Sequence, residues 1–270
     1  MNNRAPLTIL HTNDFHDRLT DEAAARLAAH IAEVPEPKLL IDAGDAGGST
    51  NVTFRGAGEP VFDRMFRLGY AAMTVGNRDF HVTRFGFRCK LSRARFPILC
   101  ANIRPSRVKS AASEQAGERP LASSSSDDEP DIRRFAVCCV AGWRVLLVGL
   151  TVPMVTERMW ERKLSAYIFD PPVRAALQII PALKARYTPH VTIALTHIGL
   201  RLDRELASAV SGIDLIVGGH SHELLPEGER VEQTLIVQAG SHARHLGIVE
   251  VGKDSGGAAE LKMIARVIPI

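Results

Sequence analysis

What the sequence lacks narrows the field first. No stretch approaches the roughly 20 apolar residues of a membrane span. The opening MNNRAPLTIL holds no apolar leader core ahead of the first strand-like run. Cysteine is scarce, with four in 270 residues, and Cys89, Cys100, Cys138 and Cys139 do not have zinc-ligand spacing. The adjacent pair Cys138-Cys139 falls in an apolar strand-like run, where neighbouring side chains point to opposite faces. All four read as reduced thiols, which suits a cytosolic protein. There is no Lys/Arg run to track a nucleic-acid backbone, and a net charge of +3 decides nothing by itself. No internal repeat is visible. The expectation is a soluble, cytoplasmic protein with neither a nucleic-acid nor a membrane partner.

What is present is ordinary for a globular chain: 46% hydrophobic and 23% charged residues. A chain this long buries a sizeable core without disulfides. Short apolar runs followed by polar, glycine-rich loops recur along it. Strands are expected at Leu7–His11, Lys38–Asp42, Ala71–Val75, Phe96–Ala101, Val191–Thr196, Ile213–Val217, Leu235–Gln238, His245–Val251 and Leu261–Val267. Phe135–Val140 and Trp143–Leu150 read as a hairpin turning at Ala141-Gly142. Helices are expected over Asp21–Val34, capped by Thr20, over Glu59–Leu68, and from the Pro171-Pro172 pair through Arg186. Strands and helices alternate early and strands dominate late, which implies an α/β domain with a mixed sheet or two packed sheets. Residues 104–133, including SSSSDDEP at 123–130, hold too few apolar side chains to offset the entropy of ordering. They read as a loop or disordered insertion in a single domain spanning residues 1–270.

Polar residues cluster just beyond the predicted strands, where open α/β sheets build their sites. Asp14 and His16 follow the first strand, Asp45 the second and Asn77 the third. His197 ends the strand at 191–196, and His220 and His222 follow the strand at 213–217. Each alone could cap a turn or pack in a core. Together they form a mixed oxygen and nitrogen set of the kind divalent metals take. Seven donors are too many for one tetrahedral site, but suit two metals sharing a carboxylate. His11 and Asn13 are placed to orient such ligands. Gly47-Gly48-Ser49 could admit a phosphate to backbone N–H groups. His30 and His190 read as structural or solvated, and His242 and His245 lie in a loop near the site.

The segments ILHTNDFHDRL (9–19), IDAGDAGGST (41–50), MTVGNRDFH (73–81), ILCANI (98–103), LTHIGL (195–200), DLIVGGHSHELL (214–225) and QAGSHARHLG (238–247) resemble, in order, the calcineurin-like metallophosphoesterases. The branch they resemble is the catalytic domain of bacterial 5′-nucleotidase/UDP-sugar hydrolases. The resemblance implies a four-layer α/β/β/α sandwich. It implies that Asp14, His16 and His222 bind one metal, that Asn77, His197 and His220 bind the other, and that Asp45 bridges them. It also exposes departures. The family's Gly-Asn-His motif carries Arg78 in place of its histidine, and His81 stands where an aspartate usually partners that histidine. Asp17 stands where glycine is common, and the family's C-terminal nucleoside-binding domain is absent from the 270 residues.

The function expected is hydrolysis of a small-molecule phosphate ester, a nucleotide being one candidate, by two divalent ions drawn from Mn, Zn, Fe or Ni. Arginine does not release a proton near neutrality, but it clamps phosphoryl oxygens. Arg78 is therefore assigned the clamp and His81 the proton. Three alternatives stand beside this: a scaffold that lost turnover when Arg78 replaced histidine, a phosphodiesterase or nuclease of the same superfamily, and a subunit that borrows its substrate-binding surface from a partner.

Overall fold

The computed structural model describes residues 4–106, 131–253 and 261–270. Most of the expected insertion, Ser110–Asp128 included, lies outside them. Its two ends are more regular than the composition suggested: β5 (Ile103–Pro105) and β6 (Ile132–Arg133) are short strands.

Two sheets stack face to face. The first runs β15 (Leu261–Pro269), β14 (His245–Lys253), β1 (Leu7–Thr12), β2 (Lys38–Asp42), β3 (Ala72–Thr74), β4 (Ile98–Leu99), β6. Strands β1, β2, β3, β4 and β6 pair in parallel, and β14 and β15 add an antiparallel edge. The second sheet runs β12 (Glu229–Val231), β13 (Thr234–Val237), β11 (Leu215–Val217), β10 (Val191–His197), β8 (Trp143–Thr151), β7 (Phe135–Val140), with β8, β10, β11 and β13 parallel. A small ladder joins β5 to β9 (Tyr167–Phe169).

Alternation along the central strands assigns the layers. Leu7, Ile9, Leu39 and Ile41 of the first sheet meet Val145, Leu147, Ile193 and Leu195 of the second in an inter-sheet core. Leu10, Met73 and Ile98 point the other way, into a core shared with α1 (Asp21–Glu33), α2 (Val61–Leu68) and α3 (Arg84–Leu91). Leu146, Val148, Ala194 and Ile216 face α4 (Pro172–Tyr187) and α5 (Leu200–Ala209). The result is an α/β/β/α sandwich. Strands buried on both faces read as unbroken apolar runs, which is why β1, β8 and β10 were legible. Truncating a fully buried residue such as Leu147 or Ile193 to Ala is expected to cost about 2–5 kcal/mol.

Local chemistry sets the element ends. The Thr20 hydroxyl accepts from Ala23 N, and Asp21 and Glu22 occupy the first turn of α1. The β7–β8 turn has positive φ at both Ala141 and Gly142, the geometry that matches strand twist. The strand expected over Phe96–Ala101 pairs in the sheet only at Ile98–Leu99. All four cysteines are free. No helix among the described residues is long and apolar enough to cross a membrane.

Candidate metal centre

The seven donors converge where the C-terminal ends of parallel strands from both sheets meet. Asp14 and His16 follow β1, Asp45 follows β2 and Asn77 follows β3. His197 closes β10, and His220 and His222 follow β11. The backbone is bent to present them: φ is +55° at Asp14, +50° at His16, +57° at Asp45, +77° at His220 and +57° at His222. Left-handed non-glycine residues are uncommon, and their clustering in one place is a mark of function. Gly76 is required by close approach, since a Cβ there would lie 2.2 Å from both the backbone nitrogen and Oδ1 of Asp45.

Two groups of atoms face each other. His222 Nε2 lies 3.2 Å and His16 Nε2 3.6 Å from Asp14 Oδ1, and the two Nε2 atoms are 2.9 Å apart. Asn77 Oδ1 lies 3.2 Å from His197 Nε2 and 2.9 Å from His220 Nδ1. Asp45 stands between them, with Oδ1 3.4 Å from His197 Nε2 and Oδ2 3.8 Å from His16 Nδ1. Donor atoms of Asp14, His16 and His222, and likewise of Asp14, Asp45 and His197, lie within 4.8 Å of one another. Asp14 Oδ1 and His16 Nδ1 are buried without a hydrogen-bond partner. Buried polar atoms are normally paired, so Asp14 Oδ1, facing the Nε2 atoms of His16 and His222, marks where a cation fits.

The orienting contacts leave these atoms free for it. Asp14 spends Oδ2 on Asn13 Nδ2 (2.8 Å) and His220 N (3.0 Å). Asn13 also donates to Gly240 O and accepts from Ala239 N, fixing its amide. His197 Nδ1 donates to Ala43 O at 2.8 Å, which turns the lone pair of Nε2 toward Asn77 and Asp45. Arg78 N donates to Asp45 Oδ1 at 2.7 Å. Beneath, buried Asp79 accepts from the backbone nitrogens of Asp45, Gly47 and Gly76. The Gly47 N–H expected to meet a phosphate is therefore occupied by Asp79.

The electrostatics agree with a cation site. Burial opposes charge on His197, but Asp45 and Asp14 outweigh it and raise its pKa to about 9. The two carboxylates thus favour a positive charge at their centre. Burial dominates at His16 and His220, whose pKa values fall. Burial, with Asp45 adding to it, lifts Asp79 to about 6.

Arg78 is exposed at the rim. His81 is buried beneath Phe54, with ring centroids 5.1 Å apart, and the ring fills the space a Cβ on Gly86 would take. Its Nδ1 accepts from Thr83 N at 3.1 Å, which leaves the proton on Nε2, an atom without a partner. A cleft of about 330 Å³ opens beside His16, lined also by Asp17, Arg18, Gly48, Ser49 and Arg55. His11 packs against Gly247, His190 pairs with Arg144 N, and His30 lies 3.8 Å from Glu33. His242 comes closer than its loop position suggested, with its ring 5.2 Å from His16 and 5.8 Å from His222. Sequence reasoning also missed a buried brace. Thr196 donates to Asp203, Asp203 accepts from Gln238, and Gln238 accepts from Ser221 Oγ and Glu223 N, holding the loop of His220 and His222.

Comparison with known proteins supplies the context. The family model described as calcineurin-like phosphoesterase matches residues 7–224. The trifunctional nucleotide phosphoesterase protein YfkN of Bacillus subtilis is 31% identical, covering 98% of this chain and 19% of that protein. The 5′-nucleotidase of Bos taurus is 29% identical, covering 93% of this chain and 47% of its own length. The crystal structure of a 5′-nucleotidase precursor from Thermus thermophilus superposes with a TM-score of 0.73 at 27% identity, covering 98% of this chain and 55% of that one. The chain thus spans about half the length, or less, of these relatives.

Proposed function

This chain belongs to the calcineurin-like phosphoesterase family, and we propose on that premise that it hydrolyses small-molecule phosphate esters, nucleotides among them, at a centre holding two divalent ions. One observation carries the reading: seven donors from five strand ends converge, and Asp14 Oδ1 among them is buried without a hydrogen-bond partner. Asp14, His16 and His222 would hold one ion and Asn77, His197 and His220 the other, with Asp45 bridging. Bound there, the ions supply Lewis acidity toward a phosphoryl oxygen and lower the pKa of a water. The set would offer two carboxylates and five neutral donors, which limits the negative charge the chain brings to the ions.

The chain's own residues do the rest. Asn77 contributes a neutral oxygen and orients His197 and His220. Arg78, exposed at the rim, clamps the phosphoryl oxygens as charge spreads over them. For His81 to protonate the leaving oxygen, the ring must first take up a second proton at Nδ1, giving up the hydrogen bond that Nδ1 accepts from Thr83 N. Phe54 must turn away so that the imidazolium Nε2–H can reach the leaving oxygen, and the ring then returns to neutral imidazole. The relatives named as nucleotidases and phosphoesterases favour turnover over an inactive scaffold, and they motivate nucleotides as the first substrates to try.

The experiment is metal analysis of the purified protein, followed by a phosphoester panel with Mn²⁺, Zn²⁺, Ni²⁺ and Fe²⁺. Two equivalents of metal and metal-dependent release of phosphate are expected. A protein that binds no divalent ion and hydrolyses nothing in the panel would overturn the reading.

A further inference from the structure

Lys90, on α3, is only 1% exposed, yet its ammonium touches no carboxylate among the described residues. Its Nζ instead donates to backbone carbonyls: Arg78 O at 2.6 Å, Thr50 O at 2.7 Å and Phe80 O at 3.0 Å, with Ser49 O at 3.4 Å. Three donors are all an ammonium has, and all are used. Asp79, Glu59 and Asp45 act on this charge only through space, and burying a charge with no counter-ion in contact is expensive unless hydrogen bonds replace its hydration. A methionine of similar length would bury as well without that penalty. What the ammonium adds is a cross-link between two loops.

Those loops are the ones that carry the bridging position and its neighbour. Ser49 and Thr50 follow Asp45, while Arg78 and Phe80 follow Asn77. The link reaches the site by one further bond: Lys90 holds the carbonyl of Arg78, and the amide of Arg78 holds Asp45 Oδ1 at 2.7 Å. We infer that Lys90 is a positioning residue that fixes the Asp45 loop against the Asn77 loop through a cage of peptide carbonyls, and thereby sets the geometry in which the two metals are held. This rests on the proposed metal centre.

Lys90→Met and Lys90→Ala test it. Metal affinity is read by titration calorimetry, fold by circular dichroism, and kcat and KM are read separately. Lys90→Met should keep its circular dichroism and bind metal about 10–100-fold more weakly, the range for groups that orient ligands from behind, with the loss in kcat rather than KM. Excess ammonium should restore affinity to Lys90→Ala, where the cage is vacated, and not to Lys90→Met, whose side chain fills the approach. Affinity of Lys90→Met within about twofold of the parent would overturn the inference. So would a Lys90→Ala protein whose weakened binding ignores ammonium. If Lys90→Met does not fold, the ammonium response of Lys90→Ala decides alone. A parent protein that binds no metal would refute the centre itself, not the role of Lys90.

Discussion

The floor and the rim of the centre are built differently. Asp14, Asp45 and His197 form the floor, with side chains 0–3% exposed and each fixed by backbone or amide partners. His220 and His222 stand on the rim, the latter with its side chain 41% exposed, on a loop held mainly through Ser221 and Glu223. In the floor, carboxylates raise the imidazole pKa. At rim-side His16 and His220, burial lowers it. The difference teaches that the floor carboxylates favour positive charge between them, whereas the rim histidines are held neutral by burial and positioned chiefly by their loop.

Four outcomes break or sharpen that comparison. The largest is Asp45→Ala: removing the shared floor carboxylate should empty both positions and reduce turnover to that of the metal-free protein. Full hydrolysis with full metal content would end the two-metal assignment. Next come the two groups proposed to act on the substrate, buried His81 and exposed Arg78. His81→Ala should slow alkyl phosphates by about 10²–10⁴-fold and leave p-nitrophenyl phosphate, whose leaving group needs no proton, nearly unchanged. Arg78→Ala should slow both by about 10²–10³-fold. Equal effects of His81→Ala on the two substrates would remove its proton-donor role.

The third outcome contrasts floor and rim directly in the metal-free protein. At pH 7, His197→Ala strands Asp45 and Asp14 without their buried cation and should destabilise the fold by about 3–5 kcal/mol. His222→Ala should leave melting in chelator unchanged while weakening metal binding. Identical melting curves for the two variants would erase the distinction. The smallest effect on activity is at Asp203 in the brace. Burial lifts its pKa from 3.8 to about 7, against the hydrogen bonds from Thr196 and Gln238. The folded value lies above the unfolded one, so its contribution to stability is complete below about pH 3.8 and is lost as pH rises through 7. Asp203→Asn should therefore gain relative to the parent as pH climbs across that window. A pH-independent difference in melting temperature would show that Asp203 does not titrate there.

The seven candidate donors were legible because each ends or follows an apolar strand, and Asp45, Asn77 and His220 each stand beside a glycine, of which Gly76 permits a tight approach to Asp45. Local pattern carries that much. The strands of the two sheets were legible for the same reason. α5, Leu200–Ala209, is not among the expected helices although LRLDRELASA has helical spacing, because ten residues between two strongly apolar strands give a weak local signal. α3 was not resolved as an element: it is eight residues long and mixes Arg and Lys into its apolar spacing. Lys90 and the Asp203–Gln238 brace were invisible because their roles arise from burial against segments distant in sequence. Nothing local to His242 shows that its ring meets His16 and His222.

The hydrogen bond from His197, at the end of a strand in one sheet, to Ala43 O, just past a strand in the other, means that the centre straddles the seam between two half-molecules. Any ion held there acts as a reversible rivet. Its occupancy and the cohesion of the seam are then one equilibrium viewed from two ends, with stabilisation growing as RT ln(1 + [M]/Kd). If the proposed ions bind there, a chelator would act on this molecule as a mild denaturant, and the free-ion concentration would set how firmly the seam holds.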